Sequence, residues 1–429
     1  MKLPDRDARV LWHPYTQHGL DPAPLAVTRA EGAWLHLADG TRRLDAISSW
    51  WATLHGHGHP RIVRAIAEQA AALDHVLFAG CTHEPAVALA EELLALAPRA
   101  PGAAPLKRVF YSDDGSTAVE TALKAAIGAW ARRGETARTT FIALEGAYHG
   151  DTFGAMAAGD PQPFFREFGP FLFHVVRVPA QGEALEAALR GLEGRVAGVI
   201  VEPMVQGAAG MKMHAADFLR AARRLCDEHG TFLIADEVMT FCRTGRIFAC
   251  ESAEIVPDLL CVAKGLTGGT LPLAATLATE EIFHNFSSTD RGRAFFHGHT
   301  FTGNPIACAA ARASLALVRE ENTPARLDAL GERIEAGLES LRAHADVAQI
   351  RRCGGIVAVE LAATDGGYLA SLGESLRARC RALPDVLLRP LGNVLYALPP
   401  ACVTPEEADR IAAAIVTCCN PRIPVHVRS

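Results

Sequence analysis

A chain of 429 residues has room for about two to three folding units and needs no disulfide or metal staple to hold a core. Its 49% hydrophobic and 21% charged residues lie near the globular average, which excludes disorder, collagen and coiled coil as the main architecture. A formal net charge of −6 without a basic face argues against a nucleic-acid partner, and no apolar run approaches the ~18–20 residues of a membrane span.

The N-terminus, MKLPDRDARV, alternates charge and apolarity and has no apolar core of a secretory signal. The 11 cysteines contain no C-x-x-C pair, so they read as small buried hydrophobes in a reducing cytoplasm, not as a zinc ribbon or redox motif. WLHLADG and RRLDAI, within the first 48 residues, read as strands expected to pack with the C-terminal part. The run His55-x-His57-x-His59 would align three imidazoles on an extended strand. Gly56 and Gly58 make it a loop instead, and no carboxylate or cysteine completes a ligand set, so no metal is expected; His297 and His299 are read the same way.

From Arg108 the chain alternates short apolar strands with Ala/Leu-rich helices. Arg108–Ser112 is predicted as a strand and Thr117–Arg132 as a helix. Further strands are predicted at Thr139–Leu144, Phe173–Val178, Val199–Glu202, Phe232–Asp236 and Leu259–Ala263, with a helix at Ala216–Glu228. Strands apolar throughout, alternating with helices, predict an α/β fold with a mostly parallel sheet covered on both faces. The pattern changes near Glu320–Thr323. A long helix over Pro324–Ala343, strands at Ile356–Leu361 and Val394–Leu398 and a last helix from Pro405 predict a smaller α+β domain. The expected division is 1–48 as a segment packing with the small domain, 49–323 as the large domain and 324–429 as the small one.

Ligands of open parallel sheets collect at the carboxyl ends of the strands. After RVFYS, Gly115 and Ser116 open a helix, which suits either a phosphate or an ordinary N-cap. After TTFIAL, Tyr148 and His149 stand where an aromatic ring can stack on a flat heterocycle or simply cap a loop. TFLIA ends in Asp236, a costly place for a carboxylate without a partner, whether a structural arginine or a protonated ring nitrogen. LLCVA leads to Lys264, whose apolar and glycine-rich flanks favour Schiff-base chemistry over a surface role. A phosphate cradle, an aromatic plate, an acid for a pyridinium nitrogen and a Schiff-base lysine are together the parts that hold pyridoxal 5′-phosphate.

The segment Phe232–Lys264, with Asp-Glu-Val, Arg-Thr-Gly, Pro-Asp and Lys-Gly in order, resembles the fold-type I, class III pyridoxal-phosphate aminotransferases. Trp12-His13-Pro14-Tyr15-Thr16, Ser48-Ser49-Trp50-Trp51, Gly146–Gly154 and His297-Gly298-His299-Thr300-Phe301 narrow the resemblance to the branch that works in biotin biosynthesis, and the likeness runs from about Leu11 through Pro400. The resemblance implies a homodimeric transferase that moves an amino group from S-adenosylmethionine to 8-amino-7-oxononanoate. It implies that Lys264 carries the cofactor and shuttles a proton, that Asp236 pairs with the ring nitrogen, and that Gly115 and Ser116 bind the phosphate. Tyr148 would stack near the ring and touch substrate. Gly298 would touch substrate, His299 would touch the cofactor, and Thr300 would reach its phosphate from the neighbouring subunit. Trp50 and Trp51 would wall the substrate channel, Tyr15 would gate it, and Arg389 would bind the carboxylate of the acceptor. A lysine-dependent relative, another class III ω-aminotransferase, an aminomutase and a non-catalytic cofactor-binding protein are the alternatives. The ω-aminotransferase and the aminomutase supply no reason for the Ser-Ser-Trp-Trp run, and the intact set Lys264, Asp236 and Thr300 argues against the non-catalytic reading. Two departures stand out. Thr240-Phe241-Cys242-Arg243 is one residue shorter than the family's usual Gly-Phe-Gly approach to Arg-Thr-Gly, and His299 replaces a frequent proline.

Overall fold

The computed structural model describes residues 1–420 apart from 161–164, 364, 365 and 368. Its centre is a seven-stranded sheet. In spatial order the strands are Leu106–Ser112, Ala274–Thr279, Leu259–Val262, Phe232–Asp236, Val196–Val201, Thr140–Leu144 and Val175–Val178. Ala274–Thr279 runs against both its neighbours, and every other pairing is parallel. Val196–Val201 and Phe232–Asp236 are buried at every position, as strands covered on both faces must be.

Helix Gly115–Arg132 covers one face. Its inner stripe is mostly alanine (Ala118, Ala122, Ala125, Ala126, Ala129), which favours helix and lets the backbone lie close to Phe141, Ile200, Ile234 and Leu259. Trp130 ends that stripe, stacked on Phe232 at 4.4 Å and donating its indole N–H to Ala197 O at 2.8 Å. The opposite face packs on helices Gly182–Gly191 and Ala216–Glu228 through Leu185, Leu189, Phe218, Leu219 and Leu225.

The N-terminal strands Val27–Glu31, Trp34–Leu37 and Arg42–Asp45 form an antiparallel meander, and Val386–Leu387 adds to it in parallel. Val347–Cys353, Ile356–Leu361 and Val394–Ala397 make a separate antiparallel sheet, backed by helices Thr323–Ala336 and Pro405–Cys419. The proposed small unit thus includes strand partners from both ends of the chain; its residues 421–429 lie outside the described residues.

Several boundaries move. The first covering helix starts at Gly115, not Thr117, because Asp114 caps it: its carboxylate accepts from Thr117 N–H and the Thr117 hydroxyl accepts from Asp114 N–H. The third strand begins at Val175, leaving Phe173 partly exposed, and the fourth begins at Val196, three residues early, and ends before Glu202. The expected helix Pro324–Ala343 is two helices, Thr323–Ala336 and Glu339–Arg342. Gly337 separates them where a side chain would lie 2.6 Å from Ala412 Cβ.

Candidate active site

The floor of the site is made by neighbouring parallel strands. Asp236 ends one and lies beside Cys261 of the next, three residues before Lys264. Lys264 opens a short 3-10 turn with a left-handed backbone (φ 47°). Burial lowers its pKa from the ordinary lysine value, while Asp236 and Glu202 nearby pull it up. The ammonium also sits 4.7 Å from the centre of the Trp51 ring.

Asp236 is not left bare. Its Oδ1 accepts Val238 N–H at 3.0 Å and its Oδ2 is 2.7 Å from His149 Nδ1. Both residues are buried, and the far nitrogen of the ring, His149 Nε2, has no hydrogen-bond partner among the described residues. Glu202 lies behind, accepting from Tyr148 N–H at 3.1 Å and Gly207 N–H at 3.0 Å. Burial pushes its carboxyl up to about 7. His149 and the two N–H groups act against this, and the Asp236 charge adds to it.

Above the floor lies a cleft of about 200 Å³ lined by Gly115, Ser116, Tyr148, Asp236, Lys264 and Trp51 among others. Gly115 and Ser116 form the first turn of a helix of 18 residues, so their N–H groups and the helix dipole favour an anion. Two glycines keep the cradle open. A Cβ on Gly115 would lie 2.5 Å from Val238 Cγ1, and one on Gly150, whose φ is +129°, would lie 2.1 Å from Ser116 Oγ. Ser116 Oγ accepts Asp151 N–H at 3.2 Å, tying the two loops together.

At the mouth, Tyr15 and Tyr148 both donate their hydroxyls to Asp151 Oδ1, at 2.7 and 2.8 Å, and lie 3.2 Å from each other. Burial pushes the Tyr148 phenol far above its ordinary pKa, and the adjoining Tyr15 and Asp151 push the same way. Trp50 stands edge-on to Tyr15 at 5.6 Å, and the Arg389 guanidinium lies 4.8 Å from the Trp50 ring and within 3.4 Å of Tyr15 O. Trp51 turns the other way, buried, donating to the Tyr396 hydroxyl at 2.8 Å.

Gly298, His299 and Thr300 are not among these lining residues. They lie on the exposed stretch after Ala294, with His299 Nδ1 3.5 Å from Asp113 and His297 Nδ1 2.9 Å from Lys124 Nζ. The histidines near residue 57 do not share one centre: His55 Nε2 lies 3.0 Å from Ser314 Oγ and His57 Nε2 lies 2.9 Å from Asp45 Oδ2, while the His59 ring stands edge-on to His55 at 6.2 Å just before helix Pro60–Ala72, with no side-chain capping bond. The shortened Thr240–Arg243 loop makes a tight turn with Cys242 at φ 62°. Glu237 fastens it through the Thr240 hydroxyl and the N–H groups of Ala249 and Cys250. Arg243, only 1% exposed, reaches behind Trp51 to the carbonyls of Thr53 and Pro399.

The structure adds three residues whose roles the sequence did not suggest. His149 stands behind Asp236, Glu202 stands behind Tyr148, and Asp151 joins the two tyrosines. His149 and Asp151 flank Gly150 in the loop already singled out; Glu202 carried the signal of a carboxylate directly after an apolar strand.

The lone ring nitrogen of His149, the glycine cradle, the carboxylate floor and the lysine amine fit pyridoxal phosphate, the group inferred from the strand ends. The chain belongs to the family aminotransferase class-III, whose pattern matches residues 15–419. It is similar to the adenosylmethionine-8-amino-7-oxononanoate aminotransferase of Synechococcus elongatus, 49% identical over 94% of this chain and 97% of the relative. The enzyme of the same name from Nitratidesulfovibrio vulgaris is 42% identical over 96% and 81%. Among solved structures, that of the Methanocaldococcus jannaschii adenosylmethionine-8-amino-7-oxononanoate aminotransferase superposes with a TM-score of 0.91 at 34% identity, covering 97% of this chain and 98% of the other. An amine transaminase from an uncultivated Pseudomonas species, in its PLP-bound form, gives 0.85 at 31% identity, covering 97% and 99%.

Proposed function

We propose that the chain transfers the amino group of S-adenosylmethionine to 8-amino-7-oxononanoate, giving 7,8-diaminononanoate, a step of biotin biosynthesis. The observation that carries this reading is the mouth of the site: an aromatic wall, Tyr15 and Trp50, that ends in the Arg389 guanidinium and meets, through the Tyr15–Tyr148 contact, the cleft that Tyr148 and Lys264 line. A long aliphatic keto acid needs those parts in that order. Apolar rings hold the chain, and one planar cation takes the distal carboxylate in a charge-assisted pair. The relatives that share the chain's full length carry the same activity in their names.

Pyridoxal phosphate, when bound, supplies an electron sink for the pair left behind as a Cα proton departs. The remaining work belongs to the protein. Gly115 and Ser116 would hold the phosphate at the helix N-terminus. Asp236, its orientation fixed by Val238 N–H and His149, would pair with the ring nitrogen and keep a proton there. Lys264 Nζ, its pKa lowered by burial, would take the proton from Cα and deliver it to C4′ of the cofactor, on the far side of the nitrogen that joins them. Tyr148 and Tyr15, joined through Asp151, close the mouth over the reacting amine and restrict water. Trp51 walls the inner end.

The same reading makes the enzyme a cytoplasmic homodimer. Thr300 and its neighbours stay on the exposed surface of their own chain. Their proposed contact with a phosphate therefore comes from a second copy. Eleven free thiols suit a reducing compartment, and among the described residues no helix is long and apolar enough to cross a membrane.

The test is a pair of half-reactions on cofactor-loaded enzyme. S-adenosylmethionine alone is expected to convert the cofactor's absorbance to that of its amine form, and 8-amino-7-oxononanoate alone to restore it. Conversion by lysine or an ω-amino acid and not by S-adenosylmethionine would reassign the donor.

A further inference from the structure

The turn that presents the two tryptophans is strained. Ser48, Ser49 and Trp51 have φ of 50°, 59° and 65°, and Ser49 combines this with ψ −86°. Residues with a Cβ rest in such conformations only where their surroundings force them. The surroundings here converge on the Asp45 carboxylate, which is 0% exposed. It accepts Ser49 N–H at 2.9 Å on Oδ1 and 2.7 Å on Oδ2, Ile47 N–H at 3.3 Å and the Ser49 hydroxyl at 3.1 Å. His57 Nε2 approaches it at 2.9 Å. His57 is itself pinned by paired backbone hydrogen bonds with Gly32, at 2.7 and 3.0 Å. The Ser48 hydroxyl fastens the turn's first residue to Leu398 O at 2.8 Å. As a result, consecutive side chains face opposite ways. Trp50 meets Tyr15 and Arg389, while Trp51 meets Tyr396 and Lys264.

We propose that Asp45, backed by His57, is a positioning residue for the amino acceptor. It locks the Ser48–Trp51 turn so that Trp50 and Arg389 stand together at the mouth. The proposal rests on the reading of Trp50 and Arg389 as acceptor-binding groups. Asp45 does not line the cleft itself and acts only through the turn. Trp51, on the same turn, is held separately by burial and by its bond to the Tyr396 hydroxyl, so releasing Asp45 frees Trp50 first: it impairs acceptor binding and leaves the cofactor and the donor half-reaction in place.

Asp45→Asn keeps the size and removes the charge, and one oxygen that accepted Ser49 N–H becomes a donor facing it. In the holoenzyme the KM for 8-amino-7-oxononanoate is expected to rise about 10-fold or more, with the S-adenosylmethionine half-reaction within about 3-fold of wild type and the cofactor absorbance unchanged. His57→Phe shifts the same parameter less, and stands in if Asp45→Asn does not fold. Ser49→Gly, added to Asp45→Asn, recovers most of the loss, because glycine adopts positive φ without restraint. Equal losses in both half-reactions, or no recovery from Ser49→Gly, would overturn the proposal. Arg389→Ala in the same assay keeps the two readings apart. If it leaves acceptor binding normal, the acceptor reading fails. The turn is then judged by acrylamide quenching of Trp50, taken as the difference between each holoenzyme and its Trp50→Phe counterpart. Greater quenching in Asp45→Asn supports the lock, and quenching equal to wild type overturns it.

Discussion

Glu202 shows how a single buried group makes stability depend on pH. Its folded-state pKa of about 7 lies above the ordinary 4.5. Between those values the folded chain therefore binds more protons than the unfolded one, and stability falls as pH rises through the window. The raised pKa corresponds to about 3 kcal/mol of destabilisation once the pH exceeds both values. Glu202→Gln removes the titration. It also turns one accepting oxygen into an NH2 donor that faces Tyr148 N–H or Gly207 N–H, at a cost that does not depend on pH. The melting temperature of the cofactor-free variant, relative to wild type, is expected to climb from about pH 5 to about pH 8. A flat difference would mean that Glu202 does not titrate there. Arg389 poses a different question. If it holds the acceptor's carboxylate, Arg389→Ala removes a hydrogen-bonded charge pair worth about 1.5–3 kcal/mol. The KM for 8-amino-7-oxononanoate should then rise about 10- to 100-fold, with S-adenosylmethionine little affected. Equal losses for both substrates would make Arg389 structural.

Individual elements matter mainly for what they bring together at their ends. The helix Gly115–Arg132 and the loop Glu145–Asp151 meet with no room for a side chain between them. Gly150→Ala combines an unfavourable φ with contacts of 2.1 Å to Ser116 Oγ and 2.8 Å to Ser116 Cα. One of the two segments must move, at a cost of about 1–3 kcal/mol. Titration of the cofactor-free protein with pyridoxal phosphate should show weaker binding, and the melting temperature should drop. Gly191→Ala is the control, since nothing lies within 4 Å of the added carbon. Unchanged cofactor affinity in Gly150→Ala would remove these glycines from the cradle. Six of the sheet's seven strands were legible because most are apolar and the helices between them are Ala-rich, so period and composition agree; the antiparallel strand Ala274–Thr279 was not among the expected strands. The broken helix after Pro324 was not legible. Gly337 reads as a tolerable helix residue until the close approach of Ala412 is known.

At the scale of the whole molecule, the proposed homodimer is tested by complementation. On that reading Lys264→Ala disables its own chain's site, and Thr300→Ala disables the site of its partner. Mixed dimers of the two variants then contain one intact site, with Lys264 from one chain and Thr300 from the other. Co-expressed chains should regain activity that neither parent has. If Thr300 serves its own chain, no mixed dimer contains an intact site and activity stays low.

The sequence by itself determined the parallel α/β core, the order of the strand ends and the residues that stand on them, because apolar strands and glycine-rich turns are local signals. Asp236, Lys264, Gly115, Ser116 and Tyr148 were therefore singled out before any contact was known, and the fold brings all five to one cleft. Tertiary structure alone decided what stands behind those residues. His149 reaches Asp236 across 87 positions, Glu202 holds Tyr148 across 54, and the N-terminal meander takes its last strand from Val386–Leu387. These pairings join loops from separate strands, so no local spacing records them. The direction of Trp50 and Trp51 was hidden for the same reason. The pair of residues is written in the chain, but the buried carboxylate that turns one outward and the other inward acts through folded contacts.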